Sequence, residues 1–392
     1  MNSLLVLSAL LLAAETHPVA KPDGLVVHEW GTFTSVARED GIPAEWNALG
    51  CKSDLPEFVN DYGYRGFKLR LSGTVRMETP VLYFYSPHDV DARVKVSFQQ
   101  GLITEWYPQA DYQVDQMTDG VMKRLGTNLN RLDTSMRSVR GMLEWNNVKV
   151  RPGSAPVFPT SGDTSSHYYA ARDTDAAPLI VGTQNEKFLF YRGVGRFRIP
   201  LTARIADSDA LVVENQGREE IPMMMRFENH NGHLGYVVDR YTIGKITFPT
   251  PTDSTLAQVK ADLENTLVER GGLFPREAHA MVETWRDSWF EEGSRVIYLL
   301  PQSAVDSILP LQVEPTPAKT VRAFVGRIEL ATFETQRVLT SAIAKSDWAT
   351  VERYDRFLAP MLQRIFPGNP DKINQVQQQY MSYERSRGVS CR

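Results

Sequence analysis

The side chains best suited to bind a metal are two histidines and a carboxylate in the segment RFENHNGHLGY, at positions 226–236. The Asn-Gly pair between two strand-like runs predicts a β-hairpin with a type I′ turn. His230 and His233 would then face each other across the turn with Cβ atoms about 5 Å apart, and Glu228 would share their face. Such a set can bind zinc, iron or copper. The alternative is a solvent-exposed hairpin tip, where polar side chains cost nothing.

A second histidine–carboxylate pair occurs in VHEWGTFT, at positions 27–34, where His28 and Glu29 are adjacent. Neighbours in a regular strand face opposite sides, so the two could act on one ligand only if the strand bulges. Gly31 makes a bulge possible. We therefore interpret the segment as a strand first, and as part of a site only if His28 reaches the hairpin histidines.

A third candidate is SHYYAARD, at positions 166–173. His167 could supply a further metal ligand, and Arg172 could bind an anionic group through its guanidinium. A structural role for both residues is the alternative. We favour His28 over His167 as the third ligand, because a strand positions a ligand more rigidly than a loop does.

Four of the seven tryptophans follow a glutamate directly. In strands this pattern places tryptophan in the core and glutamate outside it. The alternative is a saccharide-binding cleft in which tryptophans form platforms and a pair of glutamates cleaves the sugar. The four pairs are Glu29-Trp30, Glu45-Trp46, Glu105-Trp106 and Glu144-Trp145.

The elements that would position these residues are mostly strands over residues 25–250. Short runs rich in Val, Tyr, Phe and Thr are separated by Gly, Pro, Asn and Asp, which predicts a mainly β domain built as an antiparallel sandwich or jelly roll. Residues 113–143 interrupt the pattern and are predicted to be a helical or irregular insertion. Strands are predicted at 80–85, 93–98, 179–182, 187–191, 211–214, 223–227 and 234–239.

After the sequence PTPT the pattern changes, and residues 251–392 are predicted to form an α+β C-terminal region. Apolar residues at helical spacing predict one helix over about 256–267, capped by Asp253 or Ser254, and a second helix that begins near Pro275. Two strands, at 295–300 and 321–328, and further helices are expected after them.

The first residues predict export. Residues 4–14 form an apolar run of 11, too short to span a bilayer and typical of a secretory signal cleaved near Ala14. The mature protein would be periplasmic or secreted, with no membrane span. In an oxidising compartment the two cysteines, Cys51 and Cys391, could form a disulfide.

The overall charge argues against one class of partner. The formal net charge is −4, and lysines and arginines are scattered along the chain. Binding of nucleic acid needs a concentrated basic surface, so no nucleic-acid partner is expected.

Several phrases together resemble a family of exported bacterial proteins that share a HEWGTFT motif and have no assigned activity. The resemblance covers about residues 27–328 and implies export, but it assigns no catalytic residue. The phrases are HEWGTFTSV, METPVLYFYS, LITEWYP, EKFLFYRGVG and EAHAMVETWRDSWFEEGSRVIYLLP.

We therefore expect an exported metal-dependent enzyme, with hydrolysis of a small-molecule, glycan or peptide substrate as the favoured reaction. A bound zinc, iron or copper ion would lower the pKa of a water toward neutrality. The alternative is a non-catalytic β-sandwich module that binds glycans or envelope proteins. The expected metal ligands are His230, His233, His28 and His167, and the expected catalytic side chains are Glu29, Glu228 and Arg172.

Overall fold

The computed structural model describes residues 23–46, 55–61, 71–118, 120–125, 137–161, 166–206, 210–239 and 244–386. The predicted signal segment, residues 1–14, and both cysteines of the predicted disulfide, Cys51 and Cys391, lie outside these ranges. Among the described residues, no helix is long and apolar enough to cross a membrane.

The described chain contains many strands and a smaller set of helices. The strands are β1 Val26–Ala37, β2 Asn60–Asp61, β3 Val75–Tyr85, β4 Val90–Gln99, β5 Gly101–Tyr107, β6 Asp111–Thr118, β7 Val121–Arg124, β8 Val139–Val150, β9 Leu179–Val181, β10 Gln184–Glu186, β11 Leu189–Gly195, β12 Leu201–Ile205, β13 Leu211–Asn215, β14 Met224–His230, β15 His233–Asp239, β16 Lys245–Phe248, β17 Thr252–Ser254, β18 Gly293–Leu299, β19 Leu311–Glu314 and β20 Lys319–Leu330. The helices are a 3-10 helix His167–Arg172, α1 Leu256–Glu269, α2 Pro275–Trp289, α3 Gln302–Ile308, α4 Phe333–Lys345, α5 Trp348–Arg353, α6 Asp355–Ile365 and α7 Pro370–Ser386.

A long ribbon of paired strands forms the centre of the molecule. Its order is β17-β15-β14-β18-β20-β1-β3-β11-β5-β2. Each pair in it is antiparallel except β1 with β20, which run parallel. Strands make up 42% of the structure against 27% helix, so the predicted mainly β fold is confirmed, within a sheet that is mixed.

A second group of strands covers one face of the ribbon. Strand β8 pairs with β4 on one side and with β6 and β9 on the other, and β4 also pairs with β19. Apolar side chains from both layers fill the space between them, among them Phe84 and Phe324 of the ribbon and Val96 and Leu143 of the second layer. This is the packing of a β-sandwich. A small sheet of β12, β13 and β16 adds to the same core.

Helices cover the opposite face of the ribbon. Met281 and Trp285 of α2 and Leu263 of α1 share a second core with Trp30 and Tyr83 of the ribbon. The C-terminal helices α4 to α7 enclose a third core, which includes Val36 at the end of β1. Strand β1 therefore lies at the centre of the layers, and all of its 12 residues are buried.

Most predicted elements are confirmed, but the predicted helical or irregular insertion over 113–143 is wrong for the residues that the structure describes in that range. Its described residues belong to β6, β7 and the start of β8. The side chains of β7 are all exposed and those of β6 are only partly buried. An exposed hairpin needs no alternating apolar residues, so the pattern that predicts strands is missing there.

The N-cap of α1 also differs from the prediction. Thr255 caps the helix: its hydroxyl accepts a hydrogen bond from the Gln258 amide, and the Gln258 side chain accepts one from the Thr255 amide. This reciprocal capping box satisfies two amide groups at once, which neither Asp253 nor Ser254 does here.

The predicted division near residue 250 separates segments that share one sheet. Strands β18 and β20 belong to the C-terminal segment, yet they lie between β14 and β1 of the N-terminal segment.

A buried carboxylate surrounded by three arginines joins the ribbon to the C-terminal helices. Glu329 of β20 accepts hydrogen bonds from the Nε atoms of Arg295 at 2.8 Å, Arg327 at 2.5 Å and Arg356 at 2.7 Å. Arg295 is fully buried and also donates to three backbone carbonyls, one at the end of α2 and two just after it. Since Arg356 lies on α6, the cluster fixes α6 and the end of α2 against the sheet.

The charges in this cluster also change its titration. Burial by itself raises the pKa of Glu329, but the three guanidinium groups outweigh it and hold that pKa well below its ordinary value. Burial lowers the pKa of Arg295 to about 10, so its guanidinium still carries its charge at neutral pH.

We expect Glu329→Gln to lower the free energy of unfolding by about 3–5 kcal/mol at pH 7, since removing one partner leaves buried charges uncompensated. Because the folded pKa of Glu329 is depressed, its contribution is complete above the ordinary value of 4.5 and is lost as the pH falls below it. The difference between wild type and variant should therefore narrow below pH 4.5 in urea unfolding experiments. A difference that stays constant down to pH 3 would contradict this account.

The matched control for this prediction is Glu334→Gln. Glu334 also pairs with an arginine, Arg337, but both side chains are exposed. Exposed pairs of this kind often contribute nothing measurable, so its unfolding should match wild type.

Candidate functional site

The strongest candidate site is a buried histidine–carboxylate pair between β1 and α2. The Nδ1 atom of His28 lies 2.7 Å from Oε2 of Glu277. His28 is 1% exposed and Glu277 is 0% exposed. The His28 Nε2 and the Glu277 Oε1 have no hydrogen-bond partner in the part of the chain that the structure describes. Other buried polar atoms in the described ranges also have no partner, but these two belong to one hydrogen-bonded pair of ionisable side chains, which makes the pair a candidate for chemistry.

Local structure explains how the pair forms. His28 lies opposite Tyr83 on β3, and both face the helical layer. Glu277 is the third residue of α2, and its Oε2 also accepts a hydrogen bond from the Phe274 amide at 2.9 Å. The same carboxylate oxygen thus fixes the start of α2 and binds the imidazole. A negative charge in the first turn of a helix is stabilised by the helix dipole.

Two aromatic rings enclose the imidazole. The Phe274 ring lies 4.6 Å from the His28 ring and the Tyr85 ring lies 5.3 Å from it, between ring centroids. Burial raises the pKa of the Tyr85 hydroxyl, and the neighbouring Glu277 carboxylate raises it further. Tyr85 therefore remains a neutral phenol beside the pair.

The hydrogen bond to Glu277 determines which nitrogen of His28 is available. An ionised carboxylate only accepts hydrogen bonds, so in the neutral ring Nδ1 carries the proton and Nε2 keeps a lone pair. A histidine oriented in this way can accept a proton at Nε2 or bind a metal there. The arrangement is suited to acid–base chemistry on whatever reaches Nε2.

Glu29, the neighbour of His28, faces the sandwich core on the other side of the strand. Its carboxylate accepts hydrogen bonds from Arg322 Nε at 2.6 Å and from the Tyr191 hydroxyl. Arg322 in turn donates to Asp306 at 2.8 Å. The register of β1 against β3 shifts at Gly31, as predicted for a bulge, yet the two side chains still point to opposite faces. Glu29 is held by its partners and does not meet His28.

The predicted hairpin forms with the expected turn. Asn231 and Gly232 both have positive φ, as a type I′ turn requires, and His230 pairs with His233. Glu228 lies 3.8 Å from Nε2 of His230, too far for a hydrogen bond, and accepts two hydrogen bonds from Arg226. The carboxylate is therefore committed to an arginine.

The structure does not bring His28 to this hairpin. His28 lies level with Val321 of β20, whereas Glu228 of the hairpin is level, across Ser294, with Leu330 of β20. Nine residues of strand separate these two levels, which is about 30 Å at 3.3 Å per residue. Metal ligands lie about 2 Å from their ion, so one ion cannot bind His28 and the hairpin histidines together.

His167 and Arg172 lie on the 3-10 helix, away from His28. The His167 Nε2 lies 3.6 Å from Asp287, which is ten residues and therefore about 15 Å along α2 from Glu277.

Arg172 donates two hydrogen bonds to the buried Glu186, at 2.9 and 2.6 Å. Four aromatic rings also lie within 6 Å of its guanidinium carbon, those of Phe58, Phe158, Tyr168 and Tyr169. Arg172 is thus held in the core by Glu186 rather than presented to a ligand.

No group of three or more His, Cys, Asp or Glu side chains in the described ranges is arranged to hold a metal ion. The predicted set of Glu228, His230 and His233 is therefore not arranged as a metal site, because the Glu228 carboxylate is turned toward Arg226.

The tryptophans of the four Glu-Trp pairs are all buried. Each glutamate pairs with an arginine instead of lining a cleft. The pairs are Glu29 with Arg322, Glu45 with Arg196, Glu105 with Arg192, and Glu144 with Arg93. These tryptophans could stack on a sugar only if the core opened.

Sequence reasoning missed Glu277. A signal was present, because Pro275 marks the first turn of a helix and an acidic residue at the third helical position often reaches back to the N-cap amide. Nothing in the sequence linked this carboxylate to a histidine 249 residues earlier in the chain.

We expect replacement of both His230 and His233 by alanine to change the free energy of unfolding by less than about 0.5 kcal/mol, because both side chains are exposed. Phe227→Ala on the buried side of β14 should instead cost about 3–5 kcal/mol. Zinc titration of the same double variant tests the hairpin as a metal site: binding that persists in the variant would rule out these two ligands.

Comparison with other proteins assigns no family. No protein-family model matches the sequence, and no curated protein matches it.

Proposed function

We propose that the protein is a hydrolase in which His28 is the general base and Glu277 orients it. The observation that carries this proposal is the buried imidazole whose Nδ1 is bound by a carboxylate while Nε2 has no partner among the described residues. In hydrolases with a histidine base, a carboxylate likewise binds Nδ1 while Nε2 accepts the proton.

In the proposed reaction, Nε2 removes a proton from a water molecule as the water oxygen attacks the carbonyl carbon of an ester or amide. The proton then passes from the imidazolium to the leaving oxygen or nitrogen as the carbon–leaving-group bond breaks. The Glu277 carboxylate stabilises the imidazolium between these two transfers, and it also holds the ring in the required tautomer.

His28 is 1% exposed, so a substrate can reach Nε2 only if a neighbouring side chain moves. Of the two rings that pack on His28, that of Phe274 is partly exposed, whereas Tyr85 is 6% exposed. Phe274 directly precedes α2 and lies two residues after Gly272, which has a positive φ of 72°. We infer that a substrate enters by displacing Phe274.

The proposal predicts that His28→Gln lowers kcat/KM for ester or amide substrates by about 100-fold or more, in line with the usual contribution of a general base. Glu277→Gln should also lower it, because a neutral amide neither fixes the tautomer nor stabilises the imidazolium. Hydrolysis of a panel of chromogenic esters and peptides by the purified full chain provides the measurement, and circular dichroism establishes that each variant is folded.

The matched control is His279→Gln on the same helix. His279 also pairs with a glutamate, at 3.0 Å from Glu264, but it is exposed. Activity in this variant should equal wild type. Absence of hydrolysis by wild type, or equal hydrolysis by a folded His28→Gln variant, would overturn the proposal. Activity abolished by EDTA and restored by zinc would assign Nε2 the role of a metal ligand instead of a base.

A further inference from the structure

A cavity lies at the C-terminal end of β1, away from His28. It has a volume of about 230 Å³ and forms where β1, β12 and β20 end and α4 begins. Ala37 of β1 lines it, nine residues from His28, which places it about 30 Å along the strand from the candidate catalytic pair. Anything that binds there is independent of the proposed hydrolysis.

The charges in this cavity do not balance. Three arginines line it, Arg38, Arg204 and Arg364. Arg38 pairs with Asp40 at 2.7 Å, and Arg364 pairs with Glu39 at 2.8 Å. Each of these pairs is neutral as a unit.

Arg204 is the exception, because its side chain forms no hydrogen bond or ion pair within the described part of the chain. Arg204 is only half-buried on β12 and lines the cavity, and the donors of its side chain have no partner among the described residues. One positive charge in the cavity therefore has no counter-charge among the described residues.

The remaining walls are suited to a small molecule. Ile205, Phe333 and several alanines give apolar contacts, and Phe333 is 67% exposed although it is a large aromatic side chain. Pockets for drug-sized ligands start at roughly 300 Å³, so this cavity fits a smaller molecule. Its ligand should carry one acidic group and only a short body.

We propose that this cavity binds a small oxyanion, a carboxylate or a phosphate group, through Arg204. The planar guanidinium offers two parallel N–H groups to two oxygens of such a ligand, a stronger and more directional contact than a single charge would give. Arg38 and Arg364 are each already paired with a carboxylate, so Arg204 is the guanidinium that remains for the ligand.

The test is isothermal titration of the full chain at low ionic strength with inorganic phosphate and, separately, with benzoate. Wild type should bind at least one of them saturably, and preference between the two identifies the acidic group. Arg204→Gln should weaken that binding by at least 10-fold while leaving the thermal unfolding of the free protein near that of wild type.

Arg198→Gln is the charge-matched control. Arg198 lies close to Arg204 in sequence but is exposed and does not line the cavity. Its variant loses the same unit of charge and should bind as wild type does. The proposal is overturned if wild type binds neither anion saturably, or if the Arg204 and Arg198 variants lose affinity equally, which would indicate attraction to the net charge alone.

Discussion

A strand that is buried along its whole length must find partners for its ionisable side chains inside the protein. Strand β1 is such a strand, and it carries a histidine and a glutamate on opposite faces. Burying an ionised group without a partner would cost several kcal/mol, so the surrounding elements have to supply partners. On the sandwich side β20 supplies Arg322 to Glu29, and on the helical side α2 supplies Glu277 to His28. The positions of both elements follow from this requirement.

The cluster around Glu329 applies the same rule to the C-terminal half. The single negative charge of Glu329 does not balance three guanidinium groups. The N–H groups that do not bind Glu329 donate to backbone carbonyls and to Glu291. Each arginine comes from a different place: Arg295 from β18, Arg327 from β20 and Arg356 from α6. A cluster of this type permits few alternative arrangements, because a shift of any one element leaves a charge unpaired. It therefore contributes more to the uniqueness of the packing than to net stability.

Much of the fold follows from local patterns in the sequence, and much of the site does not. Short runs rich in Val, Tyr, Phe and Thr located most strands, and Pro275 located the start of α2, because these signals act over a few residues. The exposed strand β7 gave no such signal. The pairing of Glu277 with His28, and of Arg322 with Glu29, depends on which strands become neighbours, and the parallel contact of β1 with β20 had no local signature. The hairpin histidines were easier to identify from the sequence because they lie close together in it. His28 is the better site candidate in the structure because it is buried and bound to Glu277.

The parallel pairing of β1 with β20 also has a consequence for how the chain acquires its structure. Val26 pairs with Lys319, a separation of 293 residues, so β1 is synthesised long before the strand that it pairs with. Contacts between residues so distant in sequence form slowly, since a long loop must close before they are made. Until then one edge of β1 carries unpaired amide and carbonyl groups, which other chains can use for aggregation. In a nascent chain halted before residue 319, β1 would keep this unpaired edge. Protection of the central strand from aggregation therefore requires that synthesis continue through β20.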